Sequence, residues 1–215
     1  MLSDLNGTHG SQDAALRAID GAEHRQRYAH LLAAAADDVA MGGPVNLRVV
    51  VDAAHGAGAP YALDALTRTG AVVIPFAMGD GSINDAVGAT APAALSGEVL
   101  RNGADLGVAL DGDADRCVAV DERGVVVDGD VLIALIARDR RARRLVGSER
   151  VVATVLTNSG VERVLAAAGI LLVRTPVGDR HIAEALDGFS EGFGDRKSTR
   201  LNSSHVALSR MPSSA

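Results

Sequence analysis

Residues 106–120 read LGVALDGDADRCVAV and contain the strongest pattern in the chain. Two short apolar runs, at 106–110 and 117–120, flank the hexapeptide DGDADR at 111–116. Apolar runs of this length that are bounded by Gly and Asp are typical of buried strands. The pattern therefore predicts a tight loop between two strands, with three carboxylates inside five consecutive residues.

Three aspartates this close together would repel one another and raise one another's pKa values if nothing compensated their charge. A divalent cation removes that cost, and an all-oxygen ligand set favours a hard ion such as Mg²⁺ or Ca²⁺. Asp111, Asp113 and Asp115 are the candidate ligands. Arg116 adds a planar cation that suits phosphate or carboxylate. The loop is therefore a candidate metal site beside an anion-binding arginine.

Two other interpretations of the loop are a solvated acidic turn and an EF-hand calcium loop. Acidic turns are common in proteins. An EF-hand would place Asp111, Asp113 and Asp115 at its first, third and fifth positions and Glu122 at its twelfth. However, its sixth position requires glycine where this chain has Arg116, and its flanking segments are helices rather than strands.

Composition excludes several classes of protein. The net charge of -6, with no basic run facing an acidic one, argues against nucleic acid as a partner. No apolar run reaches the ~18 residues of a membrane span, and the N-terminus lacks a signal pattern. Cys117 is the single cysteine, which excludes an intramolecular disulfide framework. We therefore expect a cytoplasmic protein without a membrane partner; the sequence gives no prediction of its oligomeric state.

Apolar strands alternate with helical segments along most of the chain. The pattern predicts helices at 23–40, 60–69 and 92–103, and strands at 47–51 and 71–75. This alternation is typical of βαβ units around a parallel sheet. A hairpin turn at Arg123-Gly124 and a helix capped by Asp128 follow. Residues 150–174 then repeat the plan of residues 47–75, so we predict two related α/β domains with a boundary near Asp128.

The loop AHGAG at 54–58 lies between a predicted strand and a predicted helix, as a dinucleotide-binding loop would. Tyr61 stands where that fingerprint needs its third glycine, and no acidic residue ends the next strand. We therefore interpret 54–58 as a tight turn. His55 is more readily explained as a local hydrogen-bond partner than as a catalyst.

Several motifs together resemble those of the α-D-phosphohexomutase family. They are DGDADR at 111–116, VDGD at 127–130, TNSG at 157–160 and TPVGDR at 175–180. Asn84, followed by Gly-Ala-Thr at 88–90, resembles the phosphoglucosamine mutase branch in particular. The resemblance extends from about Arg27 to about Gly194. Motifs in this order are much more specific than the metal loop alone.

The resemblance implies a fold of three-layer α/β domains. Residues 25–128 would form the family's second domain, which contains the metal loop, and 129–196 a truncated third domain. Residues 1–24 would be a linker remnant from a missing first domain. Residues 197–215 contain six serines, against seven in the preceding 196 residues, and begin with the only lysine, Lys197. This segment resembles translated sequencing-adapter read-through, so we predict an artefactual or disordered tail.

The resemblance also implies an activity, the interconversion of glucosamine 6-phosphate and glucosamine 1-phosphate. In that family a phosphoserine donates its phosphate to the sugar. Asp111, Asp113 and Asp115 would hold Mg²⁺ against it, and Arg116 would steady the phosphosugar. Asp179 and Arg180 would contact the substrate, although a helix cap and a surface charge explain this pair equally well.

The chain itself is expected to be an inactive fragment of such an enzyme. No catalytic residue is assigned in it, because the serine's domain is missing, as are the family's sugar-reading loop and last domain. Phosphoglucomutase or phosphomannomutase is the alternative within the family. A phosphatase with Asp111 or Asp113 as its nucleophile would require a lysine, and the chain has only Lys197. A calcium-binding module is the alternative that is not an enzyme.

Overall fold

The computed structural model describes residues 21–43, 45–145, 147–187, 192–195 and 206–209, and its strands form two sheets. The first sheet contains β1 (Arg48–Asp52), β2 (Val72–Phe76), β3 (Leu106–Leu110), β4 (Cys117–Asp121) and β5 (Val126–Val127). Its order is β2-β1-β3-β4-β5. Strand β1 is parallel to β2 and β3, whereas β3 with β4 and β4 with β5 are antiparallel. The predicted βαβ series followed by hairpins is therefore confirmed.

Helices α1 (Ala22–Ala40), α2 (Ala59–Arg68) and α3 (Ala93–Asn102) belong to the same domain. The central strand β1 is buried on both faces, which explains why three consecutive valines, residues 49–51, form its middle. Val50 belongs to a core with Leu95 and Val99 of α3, which lie one helical turn apart. Val49 and Val51 belong to the core on the other face, which includes residues of α2. The sheet is thus a middle layer between helices.

Helix α3 packs so closely on β3 that position 107 has no room for a side chain. A Cβ atom on Gly107 would lie 2.6 Å from Val99 Cγ2 and 2.9 Å from Leu95 Cγ. Both of those side chains are fully buried and cannot move aside without disturbing the core. The glycine therefore sets how near the helix comes to the sheet.

We expect Gly107→Ala to lower the free energy of unfolding by about 1–3 kcal/mol, because it overpacks the interface between α3 and β3. Gly97 provides the matched control. It lies on α3, where an added Cβ would meet nothing nearer than Arg101 Nη2 at 4.0 Å. Gly97→Ala should raise stability by about 1 kcal/mol, through helix propensity. Urea unfolding of the two variants tests this, and equal effects would contradict the packing argument.

The second sheet repeats this plan with β6 (Arg150–Thr154), β7 (Leu171–Thr175), β8 (Gly192–Asp195) and β9 (Val206–Ser209). Its order is β7-β6-β8-β9, and β6 is parallel to both β7 and β8. Helices α4 (Gly129–Ala142) and α5 (Ser159–Ala167) bury Ile133 and Leu165 against one face. Helix α6 (Asp179–Asp187) buries Ile182 against the other. The two related three-layer α/β domains are therefore confirmed.

Strand β9 corrects part of the prediction for residues 197–215. Val206–Ser209 pair antiparallel with β8, so this part of the predicted disordered tail forms a strand. The physical reason is that β8 would otherwise be an edge strand, whose free N–H and C=O groups accept a further strand. The rest of 197–215, and residues 1–20 of the predicted linker, lie outside the described residues.

No helix among the described residues is long and apolar enough to cross a membrane.

Candidate metal centre

The metal loop, residues 111–116, closes the hairpin between β3 and β4. Leu110 pairs with Cys117, so all six loop residues lie beyond the last pair of the ladder. Asp111, Asp113 and Asp115 each offer one carboxylate oxygen, and these three oxygens lie within 4.8 Å of one another. Asp111 is buried, whereas the other two aspartates are exposed. The loop therefore gathers a ligand set with one side open to solvent.

Arg116 fixes the buried carboxylate of the loop. Its Nε atom donates to Asp111 Oδ2 at 2.6 Å, and its backbone N–H donates to Asp111 Oδ1 at 3.0 Å. Burial acts to raise the pKa of Asp111, but the hydrogen bonds and the charge of Arg116 oppose it, and that pKa is held below its ordinary value. Asp111 is therefore ionised at neutral pH, as a metal ligand must be.

The structure thus gives Arg116 a role that the sequence did not suggest. Its guanidinium group is paired with Asp111 and lies 3.6 Å from Asp115, and its side chain is 22% exposed. The flanking strands β3 and β4 also differ from the helices that an EF-hand requires. The calcium-loop interpretation is therefore not supported.

Three loops meet at this end of the first sheet, because β1, β2 and β3 are parallel. They are the β1 loop (residues 53–58), the crossover loop (77–92) and the metal loop. The Ala57 N–H donates to the Gly112 carbonyl at 3.0 Å. The Ala89 N–H of the crossover loop donates to the Leu110 carbonyl at 2.9 Å. The metal loop is therefore held by backbone contacts from both neighbours.

Asp52, which ends β1, is a structural residue that the sequence analysis missed. It is fully buried, and its two carboxylate oxygens accept hydrogen bonds from Ala54 N at 2.9 Å and Gly88 N at 2.7 Å. Burial raises its pKa, and these two hydrogen bonds and nearby His55 only partly oppose that shift. Asp52 therefore ties the β1 loop to the crossover loop. An aspartate ending an otherwise apolar strand was the available signal.

The motifs at 127–130 and 157–160 meet at the N-termini of α4 and α5. Asp128 accepts from the Asp130 N–H at 2.8 Å, and Asn158 accepts from the Gly160 N–H at 2.7 Å, so both residues cap their helices. The Asn158 N–H also donates to Asp130 Oδ2 at 3.1 Å. These motifs therefore join two helix starts, and the predicted cap at Asp128 is confirmed.

The other predicted substrate residues lie at the start of α6, in the second domain. Asp179 is the first residue of that helix. The Arg180 Nε atom donates to Glu184 Oε1 at 2.6 Å, within the same helix, and its side chain is 85% exposed. Arg180 thus forms a surface ion pair of a common kind. Substrate contact by this pair stays a prediction.

Family comparisons agree with this architecture. The model described as phosphoglucomutase/phosphomannomutase, alpha/beta/alpha domain II, matches residues 26–124. The model for domain III of the same family matches residues 128–195. The fold and the metal loop thus define a protein of the phosphohexomutase class. The chain belongs to the phosphoglucomutase/phosphomannomutase family.

Curated relatives indicate a particular branch of that family. A phosphoglucosamine mutase of Granulibacter bethesdensis is 47% identical over 166 residues, which are 76% of this chain and 35% of the relative. One from Anaeromyxobacter dehalogenans is 48% identical over 158 residues, which are 73% of this chain and 34% of the relative. The chain therefore spans about a third of the length of the curated relatives it matches.

Solved structures share the fold. A Burkholderia thailandensis protein of the phosphoglucomutase/phosphomannomutase family has a TM-score of 0.66 and 21% identity, over 83% of this chain and 39% of that one. An Aspergillus fumigatus N-acetylphosphoglucosamine mutase, solved with GlcNAc-6P and magnesium, has a TM-score of 0.65 and 23% identity. That match covers 86% of this chain and 40% of the Aspergillus chain. At these identities the similarity shows the fold alone.

Proposed function

We propose that this chain supplies the metal-binding domain, and the α/β domain that follows it, of a phosphosugar mutase that interconverts glucosamine 6-phosphate and glucosamine 1-phosphate. The observation that carries the proposal is the cluster of three carboxylate oxygens within 4.8 Å, at the end of a hairpin in a chain of this family. The names of the two curated relatives described above support the amino sugar over glucose or mannose.

The residues present fit Mg²⁺ as the metal. The donor set is all oxygen, and two of the three aspartates face solvent, so water or a phosphate oxygen can complete the coordination shell. When bound, the ion would offset negative charge on the phosphoryl group being transferred. Asp111, Asp113 and Asp115 would hold it, and Arg116 keeps Asp111 ionised and oriented. Asp179 and Arg180 would contact the phosphosugar.

Metal binding can be tested directly in the 215-residue chain. Three protein ligands should bind Mg²⁺ weakly, with a dissociation constant on the order of millimolar. Asp113→Asn keeps the side chain's size but loses its charge, and it should weaken binding about tenfold or more. Isothermal titration of both proteins measures the difference. Equal affinities would remove the metal site, and a preference for Ca²⁺ over Mg²⁺ would favour the calcium-binding alternative.

The activity can be tested in a chimera. Residues 26–195 of this chain would replace the matching segment of the Granulibacter phosphoglucosamine mutase, which is 47% identical. The chimera is expected to form glucosamine 1-phosphate in a coupled assay, and Asp111→Ala in the same chimera should abolish turnover. Activity on glucose or mannose phosphates alone would support the family's other branches. A trapped phosphoaspartate would support the phosphatase instead. A cytoplasmic location stays a prediction.

A further inference from the structure

Backbone strain is concentrated around the metal loop. Seven described residues other than glycine have a positive φ angle, and six of them lie in the three loops that meet at this end of the sheet. The six are Ala54, His55, Ala77, Asn84, Ala86 and Ala114. Left-handed backbone is costly for residues with a side chain, and such strain tends to collect at functional sites. The three loops are therefore held in an arrangement that local preference alone would not choose.

Gly112, between the first two candidate ligands, is closely packed on both sides. On one side, the Ala57 N–H donates to its carbonyl at 3.0 Å, and a Cβ on Gly56 would lie 2.7 Å from its Cα. On the other side, a Cβ added to Gly112 would overlap the side chain of Ile83 and lie 3.1 Å from Asn84 Nδ2. Asn84 therefore packs against the metal loop without itself being a candidate ligand.

Asn84 adopts left-handed backbone, a conformation that asparagine accepts more readily than most residues. Its φ angle is +60°, and its backbone N–H donates to the Ala54 carbonyl at 3.1 Å. Its Oδ1 atom is buried and has no hydrogen-bond partner among the residues that the structure describes. A buried acceptor without a partner lowers stability. A residue that lowers the stability of the fold is often kept because it serves the functional site. We therefore ask what Asn84 does for the metal loop.

We propose that Asn84 is a positioning residue of the metal centre. Its side chain holds Gly112 against the β1 loop and so fixes the relative placement of Asp111 and Asp113 before the metal binds. Ligands held in place in advance bind more tightly, because less freedom is lost on binding. This inference rests on the proposed metal site and adds a residue that contributes no ligand to it.

The test replaces Asn84 by glycine, which keeps the left-handed backbone and removes only the side chain. Mn²⁺ serves as the probe, because carboxylate sites accept it and its free form is counted by electron paramagnetic resonance. We expect Asn84→Gly to weaken Mn²⁺ binding about tenfold. We also expect its melting temperature to stay equal to, or above, that of the wild type. If Asn84 served only the stability of the fold, its replacement would lower the melting temperature along with the Mn²⁺ affinity.

Ala86→Gly is the matched control. It relieves a left-handed alanine in the same loop, at an exposed position, and should leave Mn²⁺ affinity unchanged. The hydrogen exchange rate of the Ala57 amide gives a measurement that needs no metal. The Ala57 N–H donates to the Gly112 carbonyl. Its exchange should be faster in Asn84→Gly, because the Asn84 side chain no longer holds Gly112 in place.

The possible outcomes separate the two proposals. Weaker Mn²⁺ binding with a retained melting temperature and faster Ala57 exchange would support the inference. Unchanged affinity in Asn84→Gly, or a loss of affinity that accompanies a large fall in melting temperature, would overturn it while leaving the metal site in place. No Mn²⁺ binding by the wild type would overturn the metal site and this inference together.

Discussion

Replacing Arg116 by methionine is expected to lower the free energy of unfolding of the metal-free chain by about 2–4 kcal/mol, because it leaves a buried carboxylate without its charged partner. Asp111 has a side-chain exposure of 3% and accepts the Arg116 Nε hydrogen bond at 2.6 Å. Methionine replaces the apolar part of the arginine side chain but carries no charge. Thermal unfolding of the two proteins at neutral pH measures the effect.

The stability lost in Arg116→Met should become smaller as the pH is lowered. In the wild type the pKa of Asp111 lies below its ordinary value of 3.8, so its stabilising effect is present above ~pH 4 and is lost as the pH falls through the lowered pKa. In Arg116→Met, burial should raise that pKa, and acid should protonate Asp111 and relieve the cost. The stabilities of the two proteins should therefore converge as the pH is lowered.

Added Mg²⁺ should restore part of the stability of Arg116→Met, because a bound cation replaces the missing charge and binds only the folded chain. Arg123→Met is the control, since Arg123 pairs with Asp121 in the neighbouring hairpin between β4 and β5 but is 74% exposed, and its loss should change stability little. If Arg116 served only the substrate, Arg116→Met would be as stable as the wild type at every pH.

The fold was predictable because its signals are local. The apolar run of β1, the helix segments with their glycine ends and the hairpin turn at Arg123-Gly124 each follow from a few adjacent residues. Strand β9 was not predicted, because the composition of residues 197–215 suggested a foreign segment, whereas strand pairing depends on a free edge elsewhere in the fold. An edge of this kind becomes visible only once the sheet order is known.

The metal loop was predictable for the same reason, since its three aspartates lie within five residues. Its supports were not, because they come from loops about 30 and 60 residues away in sequence. Neither the contact of Asn84 with Gly112 nor the hydrogen bond of Asp52 with Gly88 leaves a pattern in a single sequence. The ion pair of Arg116 with Asp111 was not predictable either, because it depends on how the loop folds back. Substrate contact by Arg116, which the resemblance implies, stays a prediction.

Asp52→Ala is expected to lower the free energy of unfolding by about 2–4 kcal/mol, since it leaves two buried N–H donors, those of Ala54 and Gly88, without an acceptor. Asp52→Asn should have a smaller effect, because its amide oxygen can still accept one of the two hydrogen bonds. Urea unfolding of the wild type, Asp52→Asn and Asp52→Ala should give free energies of unfolding that decrease in that order. Asp105→Ala is the control, because Asp105 also accepts a distant backbone N–H, that of Arg48, but is exposed and water can replace it.

Asp52→Ala should also weaken metal binding, because Asp52 holds the crossover loop that contacts the metal loop. Gly88 follows Asn84 in that loop, and the Ala89 N–H binds the carbonyl of Leu110 just before the metal loop. Once the bond between Asp52 and Gly88 is lost, the loop that carries Asn84 is held less firmly, and Mg²⁺ affinity should fall in Asp52→Ala but not in Asp105→Ala. A destabilised Asp52→Ala that binds Mg²⁺ as well as the wild type, at a temperature where both are folded, would show that the metal loop holds its shape without help from its neighbours.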